Sequence, residues 1–451
     1  MGQIAEEHGL IREPPTGLIE SIRYMGPGLI LSAAIVGSGE LIATTALGAK
    51  VGFTFLWVIL IGCAVKVTVQ VEFGRHSILT GKPSFQAWNE EPNRRILGLH
   101  WSLLIALLFM ISQLAGIGGV IGGAAQVAQS VFPALSLKLW VVVLILLAAF
   151  PLFRGAYGVV EAGATTLNLL FVTAVIYCVV AVQNTGYAFG LREVTEGFSL
   201  NIAWDALPLA IGAFGITGIS AGEIFVYPSW CLEKGYARWT GPADGTEGWA
   251  RRARGWIRVM TMDAVVAMVV YTLTTCAFYL LGASVLHAQE KLADGNQLVE
   301  QLSVIFTEVL GQEAWLIFMF GAFAVLFSTV FSNTAGYARL WTDFFTEARI
   351  LRPNSIKQRQ WSIAIMTWVL PTIWGLVYLG FQRPLFLVIL MGIANSAFLL
   401  VVAFKALVFR YRKAEFGLTP SRRYDAFLWT SILAIVLLSL WALYGTVAPG
   451  S

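Results

Sequence analysis

Apolar stretches of about 20 residues, each long enough to cross a bilayer as a helix, recur along the chain near 26–49, 53–73, 98–126, 138–153, 160–183, 205–231, 258–284, 304–338, 361–381, 384–409 and 425–447. The pattern predicts an all-α polytopic membrane protein of about eleven spans. The fourth stretch is short and the eighth long, so a tilt, a break or an extra interfacial turn is expected there. Two polar interruptions organise the rest: Gly37-Ser38-Gly39-Glu40 in span 1 and Ser220-Ala221-Gly222-Glu223 in span 6. Each sets glycine directly before a carboxylate, at a depth where a charge costs ~2.5–3.5 kcal/mol on insertion scales. Glycine weakens a helix, and a helix broken inside a bilayer persists only where its freed backbone groups line a cavity or contact protein. The tetrads therefore predict helices unwound at Gly37–Gly39 and at Ser220–Gly222, facing each other across a shared cavity.

Five spans separate the tetrads, and the odd number reverses their direction through the membrane. A five-helix unit followed by an inverted copy, with the site between two broken helices, is a common plan of secondary transporters. On that plan residues 1–25 form an N-terminal tail, 26–203 the first repeat, 204–409 the inverted second repeat, and 410–451 a linker and an eleventh span. Charge supplies the orientation. Placing the N-terminus inside puts 23 of the 30 Lys and Arg residues on the cytoplasmic side, which predicts an integral protein of the plasma (inner) membrane with its C-terminus outside.

Composition agrees: 57% of residues are hydrophobic, 12% are charged, and the mean hydropathy is +0.73. A net charge of +4 carries no basic field for nucleic acid. The tail holds Glu6, Glu7, Arg12 and Glu13 with Pro14-Pro15 and lacks the apolar core of a secretory signal. Cys63, Cys178, Cys231 and Cys276 have no metal-ligand spacing and read as core residues. A nucleotide-binding glycine loop with its Lys-Ser/Thr, a His-Glu-x-x-His pair and a nucleophile elbow are missing from the sequence, so it is not read as an enzyme.

Other polar residues have plainer readings. Gly118/Gly122 and Gly119/Gly123 in span 3 are small-xxx-small pairs that favour close helix packing. Lys66, within span 2, calls for a carboxylate partner or a snorkelling path. Glu72, Arg75 and His76 lie a turn apart and are expected to form a solvated ion pair, with a gating role as the alternative. Glu161 and Asp263 are expected at the interface.

Gly26-Pro27-Gly28 leading through Ser32 to Gly37-Ser38-Gly39-Glu40-Leu41-Ile42-Ala43-Thr44 resembles span 1 of the Nramp family of divalent-metal transporters. Echoes recur at Val160-Glu161 and at Thr334-Ala335-Gly336. The resemblance implies the leucine-transporter fold, eleven or twelve helices, and carriage of Mn²⁺, Fe²⁺ or related ions, usually with protons. Departures from the family pattern carry consequences. The family's metal-binding Asp falls on Gly37 and its Asn on Glu40, and its span-6 Met falls on Ser220. Its proton-handling acids fall on Gln113 and Gly116, neither of which takes up a proton, so transport is expected to bypass the family's proton route.

Two carboxylates in opposed half-helices, with Ser38 and Ser220 hydroxyls and unwound carbonyls, would neutralise a divalent cation that keeps several waters. The expected substrate-binding residues are Gly37, Ser38, Gly39, Glu40, Ser220, Ala221, Gly222 and Glu223. Of these, Glu40, Glu223, Ser38 and Ser220 are the expected metal ligands, with Gln113, Lys66 and Glu72 expected to support the ligands or to gate the path. The ion, of the Mg²⁺ or Mn²⁺ class, is substrate, and no resident cofactor is expected. The alternative is an amino-acid or small-solute transporter, because Ile35-Val36-Gly37-Ser38-Gly39 is also similar to the Gly-Ser-Gly break at which amides of a half-helix bind a substrate carboxylate. A non-transporting membrane sensor is a third reading. The expected partners are the lipid bilayer and a small ion or solute.

Overall fold

A computed structural model describes residues 11–28, 36–92, 95–96, 98–154, 157–199, 203–290, 298–352, 355–412, 418 and 422–447. The chain is α-helical, and among the described residues the sole strands are the antiparallel pair Arg95–Ile96 and Leu99–His100. Helix α1 covers 36–51, π-helical over Val36–Thr44 and α-helical over Thr45–Val51. There follow α2 (Leu56–Thr80), α3 (Trp101–Val131), α4 (Leu137–Phe153), α5 (Tyr157–Ala181), α6 (Leu207–Ile216), α7 (Ala221–Lys234), α8 (Glu247–Leu281), α9 (Leu298–Leu310), α10 (Ala314–Glu347), α11 (Ile356–Phe381), α12 (Pro384–Arg412) and α13 (Arg422–Val447).

Eight helical segments, counting α6 and α7 as one, are long and apolar enough to cross a membrane, and two shorter apolar ones, Leu137–Phe153 and Leu169–Asn184, join them. With α1 these account for the eleven predicted spans. The long eighth stretch is two helices, amphipathic α9 and spanning α10, parted at Gly311, whose φ of +90° suits a residue without a side chain.

Helix α3 lies at the centre, packed on α10, α11 and α12, while α2 packs on α7 and α8. The span-3 glycines serve packing as expected. A Cβ on Gly118 would stand 2.7 Å from the Trp374 carbonyl oxygen, and one on Gly122 would stand 2.1 Å from the Tyr378 ring. Only glycine lets α3 approach α11 this closely.

Two expectations about charge are corrected. Asp263 is fully buried rather than interfacial, and its carboxylate accepts the N–H groups of Gly26 (3.1 Å) and Gly28 (2.6 Å), fixing the start of span 1. Lys234 donates to the Met25 carbonyl (2.8 Å) and Tyr236 to that of Tyr24 (2.7 Å), so the entry to span 1 is strapped across the end of α7. Glu72 and Arg75 are buried, not solvated, 3.6 Å apart, and Arg75 also donates to the Leu418 carbonyl. His76 stacks on Phe409 at 3.9 Å. That cluster ties α2 to α12 and the segment before α13. The side chain of Glu161 lies outside the described residues.

Candidate functional site

Span 6 breaks for local reasons. Helix α6 ends at Ile216, Gly218 takes φ +62°, and α7 restarts at Ala221. Ser220 and Glu223 form a capping box: the Ser220 N–H donates to Glu223 Oε2 (2.6 Å) and the Glu223 N–H donates to Ser220 Oγ (3.3 Å). A serine three residues before a glutamate is the usual signature of a helix start, since it satisfies two otherwise orphaned donors. The unwound residues are thus 217–220, just ahead of the expected Ser220–Gly222. Ala221 and Gly222 belong to the first turn of α7.

Span 1 departs further from expectation. Gly37, Ser38, Gly39 and Glu40 are π-helical instead of unwound, and residues 29–35 lie outside the described part. The wide turn is held by side chains: the Thr44 hydroxyl donates to the Gly39 carbonyl (2.7 Å) and that of Thr45 to the Glu40 carbonyl (3.1 Å). Gly39 rests against the last turn of α6, where a Cβ would stand 2.7 Å from the Ile216 carbonyl oxygen. The Ser38 side chain, named as a metal ligand, lies outside the described residues.

This contact aims Glu40 at the break. Its carboxylate is completely buried. Oε1 accepts the Gly218 N–H (3.1 Å) and lies 2.8 Å from the Thr275 hydroxyl, which also reaches the Tyr271 carbonyl at 2.6 Å. Among the described residues Oε2 has no partner, and neither do the buried hydroxyls of Thr217 and Tyr271 around the same glycine. Lys66 meets neither sequence expectation. It is fully buried and donates to the carbonyls of Phe214 and Thr217 (2.9 Å for the latter) at the C-terminal end of α6.

Glu223 faces elsewhere. With Ser220, Ile216, Gln113, Ile117, Val120, Asn333, Tyr337, Met391 and Asn395 it lines a small cavity whose free space is about 20 Å³, enough for a water or a bare ion. An amide network shapes the wall. Asn395 Nδ2 donates to Gln113 Oε1 (3.0 Å) and to the Met391 carbonyl (3.0 Å), and the Tyr337 hydroxyl donates to Gln113 Oε1 (3.3 Å). The Gly222 N–H donates to Asn395 Oδ1 (3.3 Å).

Of the residues named from sequence, Ser220, Glu223 and Gln113 therefore meet on one cavity. Glu40 and Lys66 meet at the hinge beside it without lining it. Glu72 belongs to the separate cluster with Arg75. Asn333, Tyr337, Met391 and Asn395 were missed. Asn395 carried a signal, being the only amide in the 384–409 stretch, where a polar side chain at membrane depth is itself a pointer to function. Among the described residues no three His, Cys, Asp or Glu side chains cluster as a ready-made metal centre.

Comparison with known proteins places this geometry. Residues 28–445 match the family described as natural resistance-associated macrophage protein-like, Nramp. The divalent metal cation transporter MntH of Xanthomonas campestris pv. campestris is 25% identical over 316 residues, which is 69% of this chain and 66% of that protein. The match thus spans just under two thirds of that relative's length. Among solved structures, a mutant of the Eremococcus coleocola manganese transporter superposes with a TM-score of 0.66 at 15% identity, covering 98% of this chain and 91% of that one. MhsT in complex with L-phenylalanine gives 0.58 at 14% identity, covering 96% and 100%. The two likenesses establish a shared fold.

Proposed function

Because the chain belongs to the Nramp family, we propose that it is a secondary transporter that carries a divalent metal ion of the Mn²⁺ or Mg²⁺ class across the membrane by alternating access. One observation carries the reading: a carboxylate, Glu223, on the wall of a small, ion-sized cavity at the break of a spanning helix, among the polar side chains of Ser220, Gln113, Asn333, Tyr337 and Asn395. Hard oxygen donors suit Mg²⁺ and Mn²⁺ alike. Met391 also lines that wall. The relatives named as divalent metal cation or manganese transporters support the same class.

In this reading Glu223 is the charged ligand and Glu40 the hinge of the site. The symmetric pair expected from sequence becomes one ligand and one brace. Coordinated water and the wall amides then carry part of the ligation.

The alternative, an amino-acid carrier, rests on the amides of Gly37-Ser38-Gly39 in span 1. At span 6 the Gly222 and Glu223 amides are already taken by Asn395 and Ser220, so the start of α7 adds nothing to it. Glu223 is the one carboxylate on the cavity wall. Any proton moved with the metal would then ride on Glu223 or Glu40 and not on span 3, where Gln113 and Gly116 stand.

Aromatic rings pack around the first turns of α7. Phe109 stacks on Phe398 (4.1 Å), and Phe225 packs edge-on to Trp88 (4.6 Å) and Phe85 (4.8 Å). Given the charge bias, which puts the N-terminus and the Lys234 end of α7 in the cytoplasm of a plasma-membrane protein, these rings form the inner gate. Uptake of Mn²⁺ into proteoliposomes tests the reading: saturable flux lost in Glu223→Gln supports it, and protein that binds Mn²⁺ without flux would assign a sensor instead.

A further inference from the structure

Lys66 has no role in the scheme above, yet it is the most deliberately placed charge in the core. It sits midway along α2 with no solvent exposure. A lone buried ammonium calls for an anionic partner, but among the described residues Lys66 forms no ion pair. Its Nζ instead donates to two backbone carbonyls, those of Phe214 and Thr217, and stands 4.6 Å from the centre of the Phe214 ring. Those carbonyls end α6, where a half-helix has lost its next turn and the dipole leaves a partial negative charge. The buried Thr217 hydroxyl, which has no partner among the described residues, belongs to the same turn, and Glu40, whose Oε2 likewise lacks one there, bonds the Gly218 N–H one residue on. Carbonyls freed at the C-terminal end of a broken helix are what discontinuous-helix transporters use to hold a monovalent coupling cation.

We propose that the ammonium of Lys66 is a tethered cation that occupies a monovalent-cation position at the end of α6, so that the transporter needs no Na⁺ to assemble its broken span. This rests on the reading of span 6 as the transport element. An ammonium and a sodium ion carry the same charge and are satisfied by the same carbonyl oxygens. The difference is that Lys66 cannot leave, so the energy of a Na⁺ gradient would have no entry here. Removing the side chain should open a real site, with the Phe214 and Thr217 carbonyls, the Thr217 hydroxyl and Glu40 Oε2 as its oxygens.

Thermal unfolding of purified wild type, Lys66→Ala, Lys66→Gln and Lys66→Arg, in sodium chloride against choline chloride at equal ionic strength and without divalent metal, tests this directly. Wild type and Lys66→Arg should not distinguish the two salts. Lys66→Ala should show saturable stabilisation by Na⁺, with the ratio of folded to unfolded protein rising about tenfold at roughly ten times the dissociation constant. Lys66→Gln, which keeps a donor for the carbonyls without the charge, should respond in the same direction and guards against an alanine variant too unstable to purify. A wild type that is itself stabilised by Na⁺ over choline, or folded neutral variants indifferent to Na⁺, would overturn the proposal. A wild type that fails to bind Mn²⁺ would instead count against the metal reading, because the Na⁺ response is read with no divalent ion present.

Discussion

Glu40 and Glu223 end two short motifs of the same form, one in span 1 and one in span 6, and they do opposite things. Glu40 is sealed from solvent and spends one oxygen on Gly218 and Thr275, which belong to two other segments. Glu223 spends one oxygen on its own helix start and presents the rest of its carboxylate to a cavity. The carboxylate that reaches across the fold braces it, and the one bonded to its own turn is left to meet an ion. Charge at membrane depth marks a site, but only the partners tell brace from ligand.

The largest effect should come from breaking the brace. Glu40→Ala strands the buried Gly218 N–H, removes the acceptor that Thr275 shares with Tyr271 and leaves a void at the hinge, at a cost of ~3–5 kcal/mol. Chemical unfolding in detergent should show it as a large loss, and a variant as stable as wild type would remove the brace from the account. Next in size is the amide that joins α12 to α7. Asn395→Ala deletes the bonds to Gln113, Met391 and Gly222 and should cost about 1–3 kcal/mol. Metal affinity should fall with it, because the first turn of α7 loses its anchor. Gly218→Ala forces a side chain into a left-handed conformation worth roughly 1–2 kcal/mol, with the new Cβ 3.0 Å from Cys63 Sγ, and its melting temperature should drop accordingly. Smallest is Ser220→Ala. Losing the N-cap costs about 1 kcal/mol, and hydrogen exchange should show fraying confined to the first turn of α7.

Much of this was legible in the sequence, for identifiable reasons. Apolar length alone marks the spans, since a helix must bury about 20 residues to cross. The break in span 6 is written locally as Ser220-x-x-Glu223 behind Gly218, a pattern in which every partner lies within five residues. Span 1 offers the same letters without that closure. Its π-helical turn depends on Thr44 and Thr45 bonding back five residues and on Gly39 seating against Ile216, and spacing does not reveal such contacts. Lys66 illustrates the same gap: its partners are backbone carbonyls about 150 residues away, and carbonyls carry no sequence signature. Asp263 looked interfacial because it lies near the inner end of its span, yet it serves amides at the start of span 1. Asn395 could have been found by treating a lone amide in an apolar run as the carboxylates were treated.

The contrast between brace and ligand is tested most directly by measuring Mn²⁺ affinity and melting temperature together in Glu40→Gln and Glu223→Gln. Glutamine completes a capping box as glutamate does, so Glu223→Gln should keep a melting temperature near wild type. It should lose a charge-assisted contact of ~1.5–3 kcal/mol, roughly a ten- to hundredfold weaker Kd. Glu40→Gln should do the reverse, with a clearly lower melting temperature and Mn²⁺ affinity within a few fold of wild type. Unchanged Mn²⁺ affinity in folded Glu223→Gln would contradict the account.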